Sequence, residues 1–253
     1  MRKLYEKSEI LFALVWIGLY VGLMNLALAF SGGFDDLAQQ SAVRLLVPAS
    51  CAVALALAST MWILKSGLGD KYGLCRFRGD AKAFLWFVPL IAMSCINLKN
   101  GLSLNAPAAV SLLMMVNMAA AGYVEEIIFR GFLFRAMAKD GLKSAVIVSA
   151  VTFGAGHIVN LANTADTLGV LLQVGYAMAV GLLYTVIAYQ GGSLWPCILS
   201  HMFVNASSVF AAENGPFTAL VGPAWSETAS AALIAALSAM YALWLWKKAR
   251  QTF

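Results

Sequence analysis

The stretch that decides the fold is residues 107–137, PAAVSLLMMVNMAAAGYVEEIIFRGFLFRAM, an apolar run interrupted by Glu125, Glu126 and Arg130. A membrane-spanning helix needs about 20 mostly apolar residues, so this stretch can cross a bilayer with residues to spare. Ionisable side chains inside such a helix are costly and usually mark a functional site. The stretch therefore predicts a membrane helix that carries chemistry.

The composition of the whole chain also indicates a membrane protein. Of its 253 residues, 61% are hydrophobic and 11% are charged, against roughly 45–50% and roughly 25% in an ordinary soluble domain. A soluble globule could not cover so much apolar surface with so few charges. The net charge of +5 comes from short basic clusters between apolar runs, which suits lipid headgroups, and no nucleic-acid partner is expected.

Apolar runs of spanning length recur along the chain and predict an all-α, polytopic transmembrane helical bundle of about eight spans. No soluble domain interrupts them, so residues 1–253 are expected to form a single membrane domain. The eight segments are residues 10–30, 43–64, 83–98, 107–137, 144–160, 167–190, 194–212 and 229–246.

The distribution of Lys and Arg predicts the orientation of the bundle. If the N-terminus is cytoplasmic, fifteen of the seventeen basic residues fall in inside segments, and only Arg44 and Lys99 fall outside. This is a clear positive-inside pattern, so both termini are expected to be cytoplasmic, in a multi-pass protein of the cell (cytoplasmic) membrane. The predicted outer loops instead carry the acidic residues Asp35, Asp36, Asp166, Glu213 and Glu227.

Two further apolar segments carry polar residues that are expected to form one site with the two glutamates. The chain has only two histidines, His157 and His201, and both lie inside predicted spans. His157 is one helical turn from Phe153, as His201 is from Asn205, so each pair shares a helix face. A lone helical histidine is commonly a packing residue, but perturbed polar groups on three helices at compatible depths favour a functional site.

The two adjacent glutamates are expected to have different roles. Glu126 and Arg130 are spaced i,i+4, so they can form a buried ion pair that is chiefly structural. Glu125 lies about 100° further around the helix, so it can point elsewhere and remain available for chemistry.

Three ordered motifs in this sequence resemble those of one protease family. They are Glu125-Glu126-x-x-x-Arg130, Phe153-x-x-x-His157 and His201-x-x-x-Asn205. The chain resembles the CPBP (Abi) family of CAAX prenyl proteases and bacteriocin-processing intramembrane proteases. The resemblance covers residues 107–212, which would be the catalytic core.

The resemblance implies hydrolysis of peptide bonds in membrane-associated protein or peptide substrates. It implies Glu125 as the general base, His157 beside the attacking water, and His201 with Asn205 at the oxyanion. Glu126, Arg130 and Phe153 would support these catalytic residues. No serine or cysteine lies in a comparable setting with a histidine, which disfavours a covalent nucleophile.

Two questions stay open at this point. A catalytic zinc held by His157, His201 and Glu125 is the alternative to an endopeptidase with no obligatory metal. A proton-coupled transporter would also place Glu and His in the membrane, and an inactive scaffold is the third reading. The basic loops near Lys139 favour a substrate that approaches from the cytoplasmic side or laterally.

Overall fold

A computed structural model describes residues 1–32, 41–77, 87–104 and 106–249 of the chain. Within these ranges the protein is helical and has no β-strand; a single antiparallel bridge joins Leu102 and Ala211. The all-α prediction is confirmed. Several predicted features lie outside the described residues: the beginning of the 83–98 segment and the charged residues Asp35, Asp36, Arg78, Lys82 and Arg250.

The described residues form ten helices. They are α1 (Arg2–Lys7), α2 (Glu9–Ser31), α3 (Ala42–Lys65), α4 (Val88–Ser94), α5 (Ala108–Met137), α6 (Leu142–Gly156), α7 (Thr167–Gly191), α8 (Trp195–Ser208), α9 (Pro216–Val221) and α10 (Pro223–Ala249). A 3₁₀ turn follows α4 over Ile96–Asn100, and another continues α6 over His157–Ala162. Together these helices form a bundle with α5 near its centre.

Six of these helices are long and apolar enough to cross a membrane: α2, α3, α5, α6 with its 3₁₀ extension, α7 and α10. The protein is therefore a multi-pass membrane protein. The two other predicted spans are represented by α4, with seven residues, and α8, with fourteen. Both are shorter than the roughly 20 residues that a crossing requires, so the number of eight spans stays a prediction.

The two short helices pack against each other beside α5. The hydroxyl groups of Ser94 and Ser200 are 2.7 Å apart, and the Asn97 amide donates to the Val204 carbonyl at 2.7 Å. A polar side chain that hydrogen-bonds a neighbouring helix satisfies backbone and side chain together, which is how polar residues join helices in membranes. This pairing holds α8, and therefore His201, against the rest of the bundle.

Local sequence signals fix where the long helices begin and end. Ser8 caps α2 by accepting a hydrogen bond from the Leu11 amide at 3.2 Å, and Asp166 caps α7 by accepting from the Gly169 amide at 2.9 Å. These side chains satisfy backbone amides that have no partner inside the helix. Gly192, with φ of 63°, ends α7 in a left-handed conformation that glycine adopts without strain.

One end of the bundle, which we call the basic end, is defined by Lys71, Arg135, Lys139, Lys247 and Lys248. The Glu9 carboxylate at the start of α2 binds the ammonium groups of Lys71 at 2.7 Å and Lys139 at 2.5 Å. The Arg135 guanidinium donates to the Ala188 carbonyl, and the Gln190 amide donates to the Leu245 carbonyl. These contacts bring the start of α2 and the ends of α5, α7 and α10 to the same side.

The opposite end, which we call the polar end, is defined by Lys99, Asn163, Asp166, Glu213 and Glu227. The Asn163 amide donates to the Asn25 side chain at 2.7 Å, which joins the end of α2 to the turn before α7. The Asn100 side chain donates to the Glu213 carbonyl at 2.9 Å. Each long helix therefore runs between a basic end and a polar end, as the alternation of loops in the sequence predicts.

Candidate active site

A fully buried charge network forms where α5 meets α8. The Glu126 carboxylate accepts from the Arg130 guanidinium at 2.9 Å, and both side chains are 0% exposed, which confirms the predicted ion pair. The same Glu126 oxygen, Oε1, lies 2.7 Å from Nδ1 of His201. Buried charges need partners of this kind, because an isolated ion away from water is costly. Glu126 thus orients His201 as well as pairing with Arg130.

The helix that carries this network changes its geometry at Glu126. From Glu126 to Phe134, α5 continues as a π-helix, and every residue of this segment is buried. Short π-helical segments are rare and occur frequently at functional sites, since the extra residue per turn redirects side chains. The sequence does not predict this change, because the apolar pattern of residues 126–134 fits an ordinary α-helix equally well.

The adjacent residue, Glu125, faces a cavity. Its side chain is 13% exposed, and its Oε2 atom lies 3.4 Å from Nε2 of His201. The Tyr20 hydroxyl donates to Glu125 Oε1 at 2.5 Å. The imidazole of His201 therefore lies between the two glutamates, with one ring nitrogen toward each. In this arrangement Glu126 is enclosed by its partners, and Glu125 lies beside open space.

Phe153 forms the apolar centre of the site. Its ring lies 4.1 Å below the Arg130 guanidinium, 5.1 Å from the His157 ring and 5.7 Å from the His201 ring. A guanidinium above an aromatic face is attracted by the ring quadrupole, which helps to hold a buried arginine. The Nδ1–H group of His157 donates to the Phe153 carbonyl at 3.0 Å. Its Nε2 atom is left for a ligand in the cavity.

Asn205 approaches α5 through a glycine. The Asn205 amide donates to the Met118 carbonyl at 3.2 Å, which uses one of its two N–H groups. A Cβ atom on Gly122 would lie 3.2 Å from the Asn205 amide nitrogen and from the His201 carbonyl. Gly122 therefore allows α8 to lie close enough to α5 for His201 to reach both glutamates.

Two adjacent cavities meet at these side chains. The larger, of about 530 Å³, is lined by Glu125, His157 and Asn205, and the smaller, of about 120 Å³, by His157, His201 and Asn205. His157 and Asn205 thus lie on the wall shared by both. Gly156 also lines the larger cavity, and a Cβ atom added there would lie 3.9 Å from the Phe129 ring, so there is open space beside His157. All four predicted catalytic residues border this space.

The three candidate zinc ligands are not grouped around a common point in this arrangement. Within the described ranges, no three His, Cys, Asp or Glu side chains lie close enough together to hold a metal ion. Both ring nitrogens of His201 already face carboxylates, and His157 is not grouped with Glu125 and His201. A catalytic zinc requires three converging protein ligands and an open position. Zinc binding by Glu125, His157 and His201 would thus require a rearrangement of these side chains.

Sequence reasoning missed Tyr20, which lies 105 residues from Glu125 along the chain. The signal was its position: Tyr20 is at the middle of Glu9–Ser31, whereas tyrosines that anchor a helix lie at the membrane interfaces. A phenol at mid-membrane depth needs a hydrogen-bond partner. Nothing in the sequence indicates which of the polar groups on other helices that partner is.

Comparison with protein families supports the resemblance seen in the three motifs. The sequence model of the family described as type II CAAX prenyl endopeptidase Rce1-like matches residues 107–207. No curated protein and no solved structure gives a significant match to the chain. The family resemblance is confirmed for the part of the chain that carries all three motifs. It indicates a membrane protease of the CAAX endopeptidase type, with membrane-associated peptides or proteins as substrates.

Proposed function

We propose, from the match of residues 107–207 to the Rce1-like endopeptidases, that this protein hydrolyses peptide bonds with a water molecule activated by Glu125. The observation that carries the proposal is the contrast between the two adjacent glutamates. Glu126 is fully buried and bound to Arg130 and His201, whereas Glu125 borders a cavity that can admit water. Glu125 is therefore the carboxylate able to meet both water and substrate.

The reaction begins with a water molecule between Glu125 and His157. Glu125 takes one proton from this water while its oxygen attacks the carbonyl carbon of the peptide bond. His157 orients the water through Nε2, since its Nδ1 atom is engaged by the Phe153 carbonyl. Collapse of the tetrahedral intermediate breaks the C–N bond, and Glu125 returns the proton to the leaving amine. Glu125 thus takes one proton and returns it, and the reaction needs no further acid or base.

The carbonyl oxygen becomes negatively charged in the intermediate and needs hydrogen-bond donors. Asn205 retains one N–H group beyond the one that binds Met118. Nε2 of His201 donates when the ring carries both protons, a form in which its Nδ1–H group donates to Glu126. Donors held in place before the reaction stabilise such an oxyanion without reorganisation. Gly122 and the charge network fix both donors.

Tyr20 would position the general base. Its hydroxyl is 2.5 Å from Glu125 Oε1, so it holds one carboxylate oxygen and leaves Oε2 to face His201 and the cavity. Tyr20 lies on α2, outside the residues that match the family. The catalytic core of residues 107–212 would thus depend on a helix from the first part of the chain.

The proposal can be tested by offering membrane-anchored peptides to the purified protein in lipid vesicles and identifying the products by mass spectrometry. We expect Glu125→Gln to lose cleavage by at least about a hundredfold, because the amide cannot take the proton. Glu6→Gln is the matched control, since Glu6 lies in α1, far from the site along the chain, and pairs with the exposed Arg2. Equal cleavage by wild type and Glu125→Gln would contradict the proposal. Proton flux without cleavage would favour the transporter.

The metal question is tested in the same assay. We propose that no metal is obligatory, because the three candidate ligands are not grouped around a common point. Cleavage should therefore survive a strong zinc chelator. Loss of cleavage that returns on addition of Zn²⁺ would instead support the zinc alternative, with Glu125, His157 and His201 rearranged as ligands.

A further inference from the structure

The described residues that line the larger cavity lead from Glu125 toward the polar end of the bundle. Its wall continues from Glu125 and His157 through Asn160 to Asp166, Lys99 and Glu227, which belong to the polar end. Asp166 and Glu227 are exposed, so the cavity reaches the surface there. Its volume of about 530 Å³ lies within the range of about 300–1,000 Å³ that is usual for ligand sites.

The opposite direction is filled by packed aromatic rings. Phe132, two residues past Arg130, is 1% exposed, and its ring lies 5.0 Å from those of Phe12 and Tyr72 and 5.7 Å from that of Trp62. Leu194, at the start of α8, is also fully buried. Interiors packed at this density leave no passage for water or peptide. Among the described residues, the side of the site toward the basic end is therefore filled.

The mouth of the cavity is built for a polar ligand. Lys99 lies 5.8 Å from the Phe217 ring, and burial lowers the pKa of its ammonium group. The carboxylates of Asp166 and Glu227 lie on the other side of the mouth, on α7 and α10. A peptide brings charged and hydrogen-bonding groups to such a mouth, whereas a lipid tail does not.

We propose that the peptide substrate reaches Glu125 through the polar end of the bundle. This inference rests on the proposed function and narrows its substrate class. Because the basic loops are expected to be cytoplasmic, the polar end faces the other side of the membrane. The substrate is then a peptide segment that emerges on that outer face. This route is opposite to the one that the basic loops suggest.

Cysteine labelling tests the route without requiring cleavage. Gln173 lines the cavity and lies six residues after Thr167, about 9 Å along α7 from the polar end. Gln173→Cys would be placed in a chain with alanine at Cys51, Cys75 and Cys95, and treated with a membrane-impermeant thiol reagent from each face of sealed vesicles. Lys139→Cys and Ala224→Cys mark the basic and polar faces.

We expect Gln173→Cys to react from the face that labels Ala224→Cys and not from the face that labels Lys139→Cys. Cys197 is 0% exposed on the closed side and should stay unreactive from both faces, as an internal control. Reaction of Gln173→Cys from the basic face alone, or from neither face, would overturn the proposal. If the triple alanine chain does not accumulate, Gln173→Cys is placed in the wild-type chain instead. Only the labelling in excess of that of the wild-type chain is then counted.

A second measurement separates this inference from the proposed function. Attaching a bulky thiol reagent to Gln173→Cys from the polar face should reduce cleavage at least tenfold, and attaching it to Lys139→Cys should leave cleavage unchanged. Unchanged cleavage after complete modification of Gln173→Cys would contradict the route. A chain that cleaves nothing, yet labels from the polar face, would leave the route standing and remove the protease function.

Discussion

The two ends of this bundle use the same helices in different ways. Toward the basic end, α5 passes through packed aromatic rings, and the charged residues of its π-helical segment are fully buried. Toward the polar end, α5, α6 and α7 separate around a cavity bordered by Glu125 and His157. Rigid packing on one side can hold a reactive carboxylate in place, while the other side admits water. The comparison predicts that changes in the closed part affect mainly stability and changes in the open part affect mainly activity.

The largest effect is expected from Arg130→Ala. This change leaves Glu126 buried without its cationic partner and removes the guanidinium from above the Phe153 ring. Breaking a buried pair by removing one member costs about 3–5 kcal/mol. Thermal unfolding in detergent should show this loss, together with reduced activity because Glu126 also orients His201.

Arg2→Ala serves as the control for Arg130→Ala. Arg2 also pairs with a glutamate at i,i+4, but its side chain is 86% exposed, so no measurable change is expected. A loss of activity in Arg130→Ala with no loss of stability would contradict the structural role. It would place Arg130 among the groups that contact substrate.

Phe132→Ala tests the packing of the closed part. Removal of a fully buried phenylalanine ring from this aromatic cluster should cost about 3 kcal/mol. Met118→Ala is the matched change in the open part, where the side chain already borders the cavity and loses fewer neighbours. The midpoint temperature of thermal unfolding should therefore be much lower for Phe132→Ala than for Met118→Ala. Equal losses would mean that the two ends are packed alike.

The sequence predicts the parts of this arrangement that depend on one helix. The i,i+4 spacing of Glu126 and Arg130 gives their ion pair, and the apolar runs give the six long helices. The apolar runs do not by themselves settle the two short helices. Residues 194–212 suggest a span, and helix α8 extends over Trp195–Ser208, so a crossing there stays a prediction. An apolar run in a helix buried in a protein core has the same composition as one in a helix that faces lipid, so run composition does not distinguish them.

The remaining features depend on contacts between helices that no local pattern encodes. The hydrogen bond from Tyr20 to Glu125 depends on the rotation of α2 about its axis, which is set by packing against α5. The sequence also gives no sign that His201 lies between the two glutamates, or that the cavity leads to the polar end. Lys and Arg positions predict which loops share a face, but not where the interior is hollow.

Tyr20→Phe should reduce activity and preserve stability, as expected for the open part. The substitution keeps the ring and removes only the hydroxyl that binds Glu125. Without this hydrogen bond the carboxylate of the general base is less well positioned, and a misplacement of about 1 Å can cost about a hundredfold in rate, so kcat should fall by about tenfold to a hundredfold. KM should change little, because the hydroxyl positions the base and is not expected to bind the peptide. A normal kcat would show that Glu125 is held correctly without Tyr20.

The smallest effect is expected at the mouth of the cavity. Glu227 is exposed and lines the mouth, so its carboxylate can attract a basic residue of an entering peptide. Exposed charge pairs are weak, so Glu227→Gln should raise KM for a peptide with a lysine near the cleaved bond by only about two- to threefold. The difference should disappear at about 1 M salt, where the screening length is about 3 Å. The same peptide with glutamine in place of lysine is the matched control. Its KM should be the same for the wild type and for Glu227→Gln. An equal effect on both peptides would show that Glu227 acts through the fold of α10, and no effect on either would indicate that substrates pass the mouth away from this side chain.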